Sequence, residues 1–213
     1  MKITILLFDQ VDLLDAGGPY EVFLTASRLS RRDGIPEPFQ VGTATLNGQM
    51  VRAYGGMGLV PDGSFSDILS DTSDGHVLIV PGTIDIDTAV ANRALVEAIA
   101  EFARAGAASS ECIVASVCTG AFLLGEAGLL SGAEWTTHWE DIDLLSSRLG
   151  KSGARRNLRW VDNHSVITAA GLSSGIDMAL HLVHRLVGIE LAQRTARQID
   201  YQWYADGKIP QQL

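Results

Sequence analysis

Nearly unbroken apolar runs alternate along this chain with apolar residues spaced three and four apart. The runs are Ile3 to Phe8, His76 to Val80 and Ile113 to Ala115. Strands covered on both faces read this way, because both sides of the pleat meet core. The helical spacing is carried by Val22, Phe23, Ala26 and Leu29. It returns in Leu95, Val96, Ile99 and Phe102, within Asn92 to Ala105. Ile142, Leu145 and Leu149 repeat it within Trp139 to Leu149. The strongest stripe is Ile176, Ala179, Leu180, Val183 and Val187. A last helix is predicted over Ile189 to Gln198, with an irregular tail to Leu213.

Punctuation divides these elements. Pro19 is predicted to open the first helix, where its missing N–H is harmless, so Asp9 to Gly18 is expected to be loop. Gly34 is a plausible cap at its end. Phe39 to Ala44 reads as a short strand, and Asn47-Gly48 as a hairpin turn from which Gln49 to Tyr54 returns. Gly55 to Asp74 is rich in Gly, Ser and Asp. It is expected to be loop, with a strand near Gly58 to Val60 and a helical turn near Phe65 to Leu69. Pro81-Gly82 stops the strand that begins at His76. Ala121 to Ala127 is helical and ends at Gly128, and Trp135 to His138 is a short strand or its end. Arg159 to Asp162 and Ser165 to Ala169 are two strands joined at Asn163-His164. This alternation predicts one α/β domain spanning 1–213, a mostly parallel sheet with helices on both faces. Sites on such sheets lie beyond the carboxyl ends of the strands. The Asp9 to Gly18 loop, Pro81-Gly82-Thr83 and Cys118 are thereby gathered at one edge.

Composition narrows the partners. A chain of 213 residues with 46% hydrophobic and 19% charged residues has the makings of a real core. Its net charge of -9 argues against a nucleic-acid or anionic-membrane surface. No apolar run is long enough to span a bilayer. The N-terminal run breaks at Asp9 without a small-residue cleavage site, so it reads as a strand rather than a signal peptide. Cys112 and Cys118 are too close in sequence for a useful staple, which points to a reducing cytoplasm.

The chemistry concentrates at Ser116-Val117-Cys118-Thr119-Gly120. A strand that turns sharply into a helix exposes its corner side chain above the sheet, as in a nucleophile elbow. The N-terminus of the new helix favours an anion there, so Cys118 is expected to have a lowered pKa. The competing reading is a small buried hydrophobe. Gly82 permits close backbone approach, and its neighbouring N–H groups with that of Thr119 offer an anion site. Asp9, Asp12 and Asp15 are the nearby acids. Asp15 beside a thiol would titrate with it as a coupled pair; alternatively it caps the helix.

With Leu123-Leu124-Gly125-Glu126-Ala127-Gly128-Leu129-Leu130 and Thr136-Thr137-His138-Trp139, the elbow resembles the ThiJ/PfpI superfamily, and within it the isonitrile hydratase branch. Leu14-Asp15, Gly18-Pro19, Val80-Pro81-Gly82, Thr168 to Leu180 and Gln198-Ile199-Asp200-Tyr201 extend the likeness over nearly the whole chain. The resemblance implies a flavodoxin-like three-layer sandwich, a homodimer, and no metal or organic cofactor. It implies that Cys118 is the nucleophile, with Asp15 as its acid/base partner and Thr119 beside it. Gly82, Thr83, Gly120 and His138 would surround a small-molecule substrate. The implied reaction hydrates R–N≡C to an N-substituted formamide. The amidase-like domains of AraC-type regulators share these motifs, so a ligand-sensing domain is the alternative, and a Cys-based redox role a third. Two positions depart from the pattern: Gly82-Thr83 replaces Gly-Gly, and Ala169-Ala170-Gly171 replaces Gly-Gly-Gly. Thr119 stands where PfpI-type amidases and glyoxalase-like members carry His, which disfavours those activities.

Other residues read as structural. His138 is more readily polar lining than a base for Cys118. His181 and His184 lack further ligands for a metal. Asp177 with His181 reads as a helix-surface pair, Arg155-Arg156 with Arg159 as a solvated turn, and Cys112 as packed.

Overall fold

The computed structural model describes residues 1–69, 75–107, 112–150 and 153–208. From the N-terminus, β1 (Lys2–Leu6) leads into α1 (Leu13–Arg32) and β2 (Gln40–Thr45). A small hairpin of β3 (Val51–Arg52) and β4 (Gly58–Leu59) precedes β5 (Gly63–Ser64) and α2 (Phe65–Leu69). Next come β6 (His76–Val80), α3 (Ile86–Ala91), α4 (Arg93–Gly106), β7 (Cys112–Val117), α5 (Gly120–Glu126) and α6 (Ile142–Leu149). The chain then forms β8 (Trp160–Asp162), β9 (Val166–Ala169), α7 (Ser174–Leu186) and α8 (Ile189–Gln198).

Seven strands form the central sheet, in the order β5-β2-β1-β6-β7-β9-β8. Every pairing in it is parallel except the hairpin of β8 and β9. The helices α1, α7 and α8 pack together as one group, and α3 to α6 as another, with the sheet between. Each residue of β6 and β7 is buried, as unbroken apolar runs require. Ile3, Ile5, Leu78, Ile79 and Ile113 are at most 1% exposed, each contributing about 1.5–3 kcal/mol relative to exposure. The register pairs Val80 with Ser116 and Ser116 with Thr168. The carboxyl ends of three strands therefore come level beneath Cys118.

Several sequence expectations need correction. The first helix opens at Leu13, not at Pro19. Asp12 is its N-cap, with its side chain accepting the Leu14 N–H at 3.1 Å. Asp15 thus lies in the first helical turn, and Leu13 to Gly18, expected as loop, is helix. Packing overrides propensity here. A Cβ on Gly18 would sit 3.0 Å from Ile176, and one on Gly175 would sit 3.3 Å from the Pro19 ring. Small residues let α1 lie close against α7.

Asn47-Gly48 does not return the chain onto β2. Gln49 N–H bonds to the Asn47 side chain at 3.1 Å, a local turn, and β3 pairs instead with β4. The stretch Trp139 to Asp141 is turn, with α6 beginning at Ile142, and α3 was not expected. Val187 ends α7 and is 47% exposed, so it leaves the buried stripe. Of the Gly55 to Asp74 loop, residues 70–74 lie outside the described residues, as do 209–213 of the tail.

Arg159 and Asp177 are not surface groups. Asp177 is 1% exposed, and its Oδ2 accepts from Arg159 Nε at 2.8 Å and from the Tyr201 hydroxyl at 2.7 Å. Arg159 also donates to Ser173 Oγ at 2.9 Å. His181 turns instead to Asp162, 2.7 Å away, and stacks on Trp160. Breaking a buried pair leaves a charge without compensation. Arg159→Met should therefore lower unfolding free energy by about 3 kcal/mol, and adding Asp177→Asn should recover part of it. Urea unfolding of the two variants checks this.

Candidate active site

The strand-to-helix corner holds Cys118 at φ 55°, in the left-handed region that non-glycine residues seldom adopt. Surrounding bonds hold it there. Its N–H donates to Ala170 O at 2.9 Å, and its carbonyl accepts the Thr137 hydroxyl at 2.7 Å. The Thr-Thr-His-Trp string thus buttresses the elbow through Thr137. Gly120 lets the corner close: a Cβ there would come 2.3 Å from the Val80 carbonyl oxygen and 2.8 Å from that of Pro81. Both are backbone atoms that cannot step aside. Gly120→Ala should therefore destabilise the fold by about 3 kcal/mol or more. A fall of at least several degrees in thermal midpoint is the expected reading.

The first turn of α1 delivers Asp15. Its carboxyl is 0% exposed, and Oδ2 accepts the Gly82 N–H at 2.9 Å. The turn after β6 is clamped to the start of α1, because Asp12 N–H donates to Gly82 O at 2.8 Å. Gly82 has no room for a side chain, since a Cβ would lie 2.5 Å from Thr119 Oγ1 and 2.8 Å from Asp15 Oδ2. Thr119 ties the elbow to the same turn. Its hydroxyl donates to Thr83 O at 2.7 Å and accepts the Thr83 N–H at 2.8 Å. Thr83 fills the place of a second glycine by bonding its own hydroxyl to Gln10 O at 2.8 Å.

The Asp15 carboxyl and the Cys118 thiol lie close enough for each to shift the other. Burial, reinforced by the charge of Asp12, raises the Asp15 carboxyl from its ordinary 3.8 to about 7. Burial and then the charge of Asp15 push Cys118 up to about 12, against the pull of the Thr119 and Leu172 N–H groups. The lowered thiol pKa expected from the helix N-terminus is thus overturned. Cys118, a residue only 7% exposed and beside a carboxylate, is dominated by desolvation and like charge, not by one short helix. The pair titrates as a unit, losing its first proton near pH 7 and holding a single one above it. One of its one-proton forms is a thiolate beside a carboxylic acid.

The sulfur opens into a cleft of about 240 Å³. Cys118, Thr119, Thr83 and His138 line it, whereas Gly82 and Gly120 lie behind the wall as spacers. The Gly82 and Thr83 N–H groups are committed to Asp15 and Thr119, so the expected anion site is built differently. The donors facing the sulfur are the N–H groups of Thr119 and Leu172. Leu172, Glu140 and Asp141 border the cleft and carried no sequence signal; they arrive by loops after β9 and before α6. His138 Nδ1 sits 3.4 Å from Asp141 and 3.8 Å from Glu140, so its ring is engaged with acids on the cleft wall. Cys112 is packed at the start of β7. Among the described residues, no three His, Cys, Asp or Glu side chains are grouped to hold a metal, and no helix is long and apolar enough to cross a membrane.

Similarity to known proteins follows the same outline. The chain is 34% identical to an isonitrile hydratase of Pseudomonas putida over 203 residues, covering 94% of this chain and 78% of that one. It is 28% identical to the HTH-type transcriptional regulator GbdR of Pseudomonas aeruginosa, over 94% of this chain but only 51% of the regulator. A THiJ/PfpI family protein from Pseudomonas syringae superposes with a TM-score of 0.76 at 26% identity, covering 94% of this chain and 75% of that one. The DJ-1/PfpI family pattern matches residues 1–185. With its flavodoxin-like sheet, its elbow cysteine and this match over most of its length, the chain belongs to the DJ-1/PfpI family.

Proposed function

We propose that this protein hydrates small isonitriles to N-substituted formamides. The reading rests on one observation above all: a thiol that lines a cleft, with a carboxyl buried behind it and each shifting the other's titration. An isonitrile needs a nucleophile at its terminal carbon and a proton delivered to that carbon, and the pair supplies both. Cys118 thiolate attacks the carbon while Asp15 gives up its proton, forming the thioimidate R–N=CH–S–Cys118. Water then adds to that carbon, with the Asp15 carboxylate accepting its proton. The proton passes to nitrogen, the adduct's hydroxyl gives its own proton back to the Asp15 carboxylate as the C–S bond breaks, and R–NH–CHO leaves with the thiolate and the carboxylic acid restored. In sum, one isonitrile and one water give one formamide. The Thr119 and Leu172 N–H groups steady the sulfur when it is anionic. The likeness to the Pseudomonas putida isonitrile hydratase supports the same reading.

The test is direct. Pure protein incubated with an isonitrile should yield the formamide, followed by its carbonyl absorbance or by mass spectrometry. A preparation that binds isonitrile but never releases formamide would favour the second reading, a ligand-sensing domain. That alternative draws its support from the regulator that matches 94% of this chain. We further read the working form as a homodimer, which gel filtration with light scattering would test.

A further inference from the structure

The cleft above Cys118 is walled on its polar side by Asp12, Glu140 and Asp141, and among the described residues that line it there is no Lys or Arg. The acids are placed to be felt by a ligand. Glu140 keeps 63% of its side chain exposed, and Asp141 keeps 26%. The only basic group on the wall, His138, faces two of these carboxylates. Behind the sulfur, Asp15 Oδ1 is buried and takes no N–H or O–H from the described protein. The remaining wall includes Ile84, Ile86 and Leu172. Asp12 raises both Asp15 and Cys118 through its charge, so the rim's field reaches the reacting atoms.

We propose that this cleft selects substrates by charge, preferring a substituent that carries an ammonium group, accepting a neutral one and excluding a carboxylate. This rests on the hydratase reading for the word substrate, but not for the ranking. A low-dielectric cleft lined by one sign of charge concentrates the opposite sign and repels its own. Each rim carboxylate then changes the local concentration of a charged reagent a few-fold, and salt reduces the effect.

The experiment is alkylation of Cys118 in the whole protein by iodoacetamide, iodoacetate and 2-bromoethylammonium, followed by mass spectrometry. In each, the sulfur–carbon bond forms as halide leaves. Rates are normalised to those of 2-mercaptoethanol at the same pH. At low salt the normalised iodoacetate rate should fall about tenfold below that of iodoacetamide, with the ammonium reagent above both. Half-molar salt should compress the spread. The Glu140→Gln/Asp141→Asn double variant should recover iodoacetate several-fold, and Glu140→Lys should recover it further. Equal normalised rates, or a spread untouched by these substitutions, would overturn the proposal. Isonitriles of matched size carrying an ammonium, no charge or a carboxylate form the second arm, ranked by kcat/KM. Turnover without that ranking sinks the charge inference and leaves the hydratase reading standing. An alkylation ranking without any turnover does the reverse.

Discussion

Cys118→Ala should form no formamide above background, a loss of at least about a thousandfold in kcat/KM, while the fold survives. Among the described residues that line the cleft, the sulfur is the only thiol, and water alone adds slowly to an isonitrile carbon. Cys118→Ser is the sharper variant. It keeps a hydrogen-bonding atom beside Asp15, yet a hydroxyl gives up its proton far less readily than a thiol. Its rate should lie near that of the alanine protein. Removing one buried sulfur should change stability by only about 1 kcal/mol, so the thermal midpoint separates a chemical effect from a folding one. In the parent protein, mass spectrometry after rapid acid quench should find a fraction of chains heavier by one isonitrile, with the added mass on the Cys118 peptide. Turnover that persists in Cys118→Ala would remove the thioimidate from the mechanism. The ligand-sensing alternative predicts binding without product in parent and variant alike.

How much of this could be read in the residues is best judged from Cys118 and Asp15 themselves. The elbow was legible because its causes are local: an apolar run, a corner residue and a glycine, all within nine positions. The strand order was legible only in kind, since parallel runs alternating with helices constrain the sheet but not the partners of β3 or β5. The start of α1 was misread because Gly17, Gly18 and Pro19 are poor helix formers taken alone. They are helical because α7 packs there, and at Gly18 its Ile176 leaves no room for a larger side chain. Of the three acids, Asp15 is the one buried near Cys118, whereas Asp12 proved to be the cap and a wall of the cleft. The buried Arg159–Asp177–Tyr201 cluster was invisible, as its members lie 18 and 24 residues apart and each looks like a surface residue. Leu172 contributes a backbone N–H, and no side-chain pattern announces that. The direction of the thiol pKa failed for a related reason. Proximity to a helix end is a sequence property, but burial beside a second acid is a property of the folded chain.

Asp15→Asn gives the other large effect, and pH gives it its signature. The Asp15 carboxyl titrates near 3.8 in an unfolded chain and at about 7 when folded. The folded protein therefore binds more protons between those values. The stability this group contributes is present in full below pH 3.8, declines as pH rises, and is gone above about 7. A shift of about three units corresponds to roughly 4 kcal/mol at most. Asparagine keeps an acceptor for the Gly82 N–H and cannot ionise. The variant should match the parent most nearly in thermal midpoint at or below pH 4, and exceed it increasingly as pH rises, by several degrees near pH 8. Activity should move the opposite way, falling about a hundred- to ten-thousandfold because the proton donor and acceptor are lost together. The alkylation profile of Cys118 should change as well. In the parent, reactivity should rise as the pair loses its first proton near pH 7. In the variant that step should vanish, leaving a single thiol transition below about 12, since the neighbouring charge is gone. A protein that becomes more stable and less active by one isosteric change would identify Asp15 as a group held in its site for chemistry, at the expense of the fold. Unchanged stability near pH 8 would mean that water reaches the carboxylate, and a profile that keeps its step near pH 7 would assign that proton to another residue.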